Sequence, residues 1–185
     1  MYPLLFGERR NTMRYTVLAV LMILAAAFSR LLPHPLNVAP ITAMALAGGV
    51  YLDKKLALTI PIAALLISDW FIGFFPVLFF VYGSFLVIGL IGLWLKSHKS
   101  FLPVFGATIV SSVLFFVVTN FGVWIVGPEM YPRTLAGLTE CYVAAIPFFR
   151  NTILGDFAYT GVLFGLFELM SHLLKGPAKA QEQSA

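Results

Sequence analysis

Asp69 and Asp156 are carboxylates set inside long apolar runs. A carboxylate at the centre of a membrane helix costs about 2.5–3.5 kcal/mol on insertion scales, and somewhat less near the interface. Such a residue persists only with a partner or a use. The uses open to it are charge complementarity toward a bound solute, proton relay, or an ion pair that pins one helix to another. Arg150 and Arg133 are the natural cationic partners, with Arg30 a third. Tyr82, Asn120, Asn151 and Trp124 can add hydrogen bonds and stacking, and His34 and Asn37 do the same from a proline-stiffened loop. Thr152, Asp156 and Thr160 recur every four residues and so share one helix face.

Other chemistries lack their residues. His34 has no second ligand at metal spacing, Cys141 is the single cysteine, and no nucleophile–base pair stands out. No G-x-x-x-x-G-K-[ST] motif occurs, so a P-loop ATPase is excluded. The chain is expected to be no enzyme and to carry no cofactor or metal.

The elements that must hold these groups follow from composition. Sixty per cent apolar residues, a mean hydropathy of +0.93 and only 11% charged residues exclude an ordinary soluble domain. The apolar runs are continuous where outer-membrane strands would alternate. The expectation is all-α: a polytopic membrane bundle of six transmembrane helices plus a short interfacial helix. Helical rise and punctuation place the spans at Tyr15–Leu32, Val38–Leu52, Leu56–Phe74, Pro76–Leu95, Phe101–Val126 and Asn151–Leu174. Thr134–Phe149, sixteen residues with Glu140 and Pro147, reads as a short helix in the outer interface. Residues 1–14 form a cytoplasmic segment, 15–175 one membrane domain, and 176–185 a disordered tail.

Nine of the twelve Lys and Arg residues fall on alternate polar breaks: Arg9, Arg10, Arg14, Lys54, Lys55, Lys96, Lys99, Lys175 and Lys179. Basic loops stay cytoplasmic, which puts both termini inside a bacterial inner membrane. The +4 charge is thereby explained by topology, without nucleic acid. Counting rises from the basic ends puts Asp69 and Tyr82 at about 21 Å, and Asn120 and Asp156 at about 28 Å. Polar groups from four spans then gather in the outer half. They either line an outward-facing solute pocket or form ion pairs that only order the bundle. Gly161-Val162-Leu163-Phe164-Gly165 and the small residues Ala43, Ala45, Ala47 and Gly49 allow close helix approach, read first as packing within the bundle and alternatively as a docking face for another membrane subunit.

The runs Leu36-Asn37-Val38-Ala39-Pro40, Ile67-Ser68-Asp69, Thr119-Asn120-Phe121-Gly122-Val123-Trp124 and Phe148-Phe149-Arg150-Asn151-Thr152-Ile153-Leu154-Gly155-Asp156 resemble an uncharacterised bacterial family of putative membrane transport proteins, over roughly residues 15–175. Size, span number and the outward polar pocket are similar to the substrate-binding S components of energy-coupling-factor vitamin transporters. That resemblance implies uptake of a small vitamin-like solute, with a membrane coupling subunit and its ATPases as partners. Span 1 departs from the pattern: it offers only Ala25-x-x-x-Ser29 where S components show Ala-x-x-x-Ala repeats. A solitary transporter is the other reading.

Overall fold

The computed structural model describes residues 3–32 and 38–175, with side chains for 13–32 and 38–173. Every element among them is a helix: α1 Pro3–Ser29, α2 Ile41–Tyr51, α3 Lys54–Ile72, α4 Leu78–Leu95, α5 Phe101–Val126 and α6 Leu135–Lys175. The last four are long and apolar enough to cross a membrane. Their outward faces carry Trp70, Phe79 and Phe101, each at least 75% exposed. Such a surface would drive association in water and is compatible with lipid. The architecture is that of a helical membrane bundle.

Its centre is α2. All residues from Thr42 to Val50 are buried, as expected of a helix that is apolar all round. Eleven residues rise about 16 Å, half of a hydrocarbon core of about 30 Å. The sequence-based span Val38–Leu52 is therefore corrected to a half-length helix wrapped by its neighbours. Val38 lies beside Gly155, in the middle of α6, so the chain enters α2 as non-helical backbone at membrane depth. Such backbone is tolerated there only when it is buried in protein or lines a cavity. Glycine makes the packing possible: a Cβ on Gly49 would lie 2.4 Å from the Gly92 backbone, so α2 and α4 touch main chain to main chain.

The expected separate interfacial helix does not form. Residues 135–149 are the N-terminal part of α6, a single helix of 41 residues that rises about 62 Å. Pro147 removes one helical hydrogen bond, yet contacts with α5 carry the helix through it. Tyr142 Oη donates to the Val117 carbonyl at 2.7 Å, and the Phe116 and Phe149 rings lie 4.6 Å apart. The turn between α5 and α6 is tied by Trp124 Nε1 to the Pro132 carbonyl (2.9 Å) and by Arg133 to the Ile125 carbonyl (2.7 Å).

At the opposite end, Lys96 donates to the Leu52 carbonyl at 2.8 Å, and Lys99 pairs with Glu168. The turns bearing Lys54, Lys55, Lys96 and Lys99 thus share one end of the bundle, as the charge pattern requires.

Candidate functional site

The polar residues fall into separate groups. In the first, Arg30 Nη2 meets Asp69 Oδ1 at 2.9 Å, and Tyr82 Oη donates to Asp69 Oδ2 at 2.8 Å. Arg30 also donates to Ser68 Oγ. This cluster joins the C-terminal end of α1 to α3 and α4. Asp69 is 1% exposed, and both of its carboxylate oxygens are engaged.

In the second group, Asp156 Oδ2 accepts a 2.6 Å hydrogen bond from Ser112 Oγ, and the Thr42 side chain also bonds to the carboxylate. Asp156 is 2% exposed. Thr42 lies in the first turn of α2, where free backbone N–H groups and the helix dipole favour a negative charge. The carboxylate therefore joins α5 and α6 to the buried N-terminus of the half-length helix.

The depth expected for Asp156 is corrected. Counting from Lys175 assumed that α6 ends at the interface, but Lys99 reaches Glu168, so the last turns project past the basic end. Asp156 lies about 18 Å from Glu168 along α6, near mid-bilayer. Asn120 stays in the half of the bundle away from the lysine-bearing end, because Ser112, eight residues earlier on α5, is what meets Asp156.

The two aspartates share no partner, and no cavity lined by both is seen among the described residues. The expected single outward hollow uniting Asp69 and Asp156 is not what the structure brings together. Arg150 is exposed, about 27 Å from Glu168 along α6, and pairs with neither aspartate. A long stem at that depth can carry its guanidinium to the interface. Arg133 and Trp124 hold the α5–α6 turn, apart from both aspartates. His34 and Asn37 lie outside the described residues.

At the end away from the lysines, Tyr82 lines a groove of about 320 Å³ with Phe74, Phe75 and Phe79, Ser68 lines one of about 390 Å³ with Phe28 and Phe71, and one smaller cavity lies beside Asn120. This last is lined by Thr119, Asn120 and Thr152 with Phe116, Phe148 and Phe149, and encloses about 80 Å³. Asn120 Nδ2 donates to the Phe116 carbonyl at 2.8 Å. Asn151, half-buried, adjoins Thr152 on α6. The sequence stripe missed Ser112 and Thr42 as the partners of Asp156. Ser112 follows Thr108 by one helical turn on α5, a hydroxyl spacing visible in the sequence, whereas nothing in the linear sequence brings Thr42 across from α2.

A family model described as a family of unknown function (DUF6580) matches residues 10–179. The chain belongs to this family. No curated protein and no solved structure matches it. The family is one of unknown function, so membership names neither a solute nor a role.

Proposed function

We propose that this DUF6580 member binds a small polar solute in the outer half of its bundle and takes it up across a bacterial inner membrane, with both termini cytoplasmic and no catalysis of its own. The observation that carries the reading is α2, a half-length helix entered by non-helical backbone at Val38–Pro40. Helices broken near the midplane are how many transporters expose polar backbone to a solute. The proposed site lies outward of α2, with Asn120, Thr119 and Thr152 supplying hydrogen bonds and Phe116 and Phe149 the apolar walls. Vitamin-sized ligands occupy pockets of about 300 Å³ or more, so the 80 Å³ space must widen, with the outer part of α6 and the chain at Val38 moving apart. The resemblance to S components read from the sequence alone favours a vitamin-like micronutrient and, as partner, a coupling subunit with ATPases.

A second reading has its own support. Asp69 and Asp156 are closed off and hydrogen-bonded, as in a membrane scaffold whose polar clusters only order helices. The two readings separate in a thermal-shift screen of water-soluble vitamins against protein in lipid nanodiscs. Uptake requires one compound to raise the Tm of the unaltered protein and to lose that effect in the Asn120→Leu, Thr152→Val double variant. If no compound acts, or the variant responds equally, the scaffold reading stands.

A further inference from the structure

Between the inner halves of α5 and α6 runs a groove of about 510 Å³, apart from the proposed solute site and independent of that reading. Phe105, Phe157 and Phe164 form its walls, and Lys99, Glu168 and Tyr51 stand at its mouth on the basic end. Gly161 and Gly165 face it, and a Cβ on either would meet nothing within 4 Å. The GxxxG pattern therefore does not serve close packing within the bundle, contrary to the sequence-based expectation. Space is left there.

The groove also contains an unanswered polar group. Thr160 is 4% exposed, lines the groove, and its Oγ1 has no hydrogen-bond partner. A buried threonine in a helix ordinarily donates to the carbonyl one turn back, as Thr108 does to Val104 at 2.9 Å across the same groove. A hydroxyl left free in an apolar slot is disfavoured. It calls for an acceptor from outside the protein.

The lining chooses the occupant. From Phe157 to Glu168 the groove follows α6 for about 16 Å, with aromatic walls, one unanswered hydroxyl part-way along and charged groups only at its mouth. That order of apolar length and polar end matches a hydrocarbon chain with a headgroup. We infer that this groove binds a single-chain, lipid-like amphiphile whose polar end lies by the Lys99–Glu168 pair and whose apolar body carries an oxygen acceptor reaching Thr160. Thr160 is eight residues from Glu168, so the acceptor sits about 12 Å in from the polar end.

The test uses two photoactivatable long-chain fatty acids added to the full chain in nanodiscs, one with a ketone near mid-chain and one without. Cross-linked peptides are then mapped by mass spectrometry. The expected result is labelling concentrated on the inner halves of α5 and α6, stronger for the keto chain. Thr160→Val should remove the keto preference, a loss of roughly fivefold for one net hydrogen bond. Gly161→Leu, which fills open space and should leave the Tm unchanged, should abolish labelling by both chains. Labelling spread evenly over the lipid-facing helices, or unaltered in Gly161→Leu, would overturn the assignment. So would disulfide-linked dimers through Gly161→Cys, which would put a protein helix on this face.

Discussion

Replacing Asp69 by alanine would leave the Arg30 guanidinium, 11% exposed at its side chain, inside the bundle without its counter-charge. The variant loses the 2.9 Å ion pair and the 2.8 Å bond from Tyr82 together. Breaking one side of a buried pair costs about 3–5 kcal/mol, chiefly because the remaining charge is uncompensated. Tyr82→Phe removes a single interhelical hydrogen bond, about 0.6–1.7 kcal/mol in membrane bundles. Replacing both charges, Arg30→Met with Asp69→Leu, leaves no stranded ion and should recover most of the loss. Reversible unfolding in mixed detergent micelles, titrated with denaturing detergent, measures all four proteins on one scale. The expected order of stability is unaltered protein, then Tyr82→Phe and the double variant close together, then Asp69→Ala far below. If Asp69→Ala costs under about 1 kcal/mol, or the double variant is no better than the single one, the cluster is not the tie between α1, α3 and α4 that its geometry describes.

Two further outcomes test the bundle itself. Gly49→Ala places a methyl 2.4 Å from the Gly92 backbone, so α2 and α4 must separate; a loss of about 1–3 kcal/mol is expected by the same unfolding titration, and near-neutrality would contradict the main-chain contact. For topology, a cysteine at Glu129 should react with a membrane-impermeant maleimide in intact cells, whereas one at Lys54 should react only after lysis. Cys141, 2% exposed, should give little background. The reverse labelling pattern would invert the proposed orientation.

Much of the fold is legible in the residues. Continuous apolar runs can satisfy their backbone in lipid only as helices, and α3, α4 and α5 lie close to where hydropathy, Pro76 and Gly127-Pro128 put them. The alternation of lysine-bearing breaks anticipates the shared basic end, because an up-and-down chain must bring alternate turns to the same side. Asp69 and Tyr82 were expected at one depth, and they are hydrogen-bonded.

What only the tertiary structure decides is lateral. Helical rise measures depth along one helix and says nothing about which neighbour stands beside it. The 3.6-residue period therefore could not reveal that Arg30 turns to Asp69 while Asp156 turns to Ser112 and Thr42. Local rules also misjudged α2 and α6. A short apolar run reads alike whether it crosses lipid or is wrapped by other helices, and only the surrounding helices make α2 a buried half-length element. Pro147 weakens a helix by removing one hydrogen bond, but packing of Phe149 and Tyr142 on α5 outweighs that local cost and keeps α6 whole.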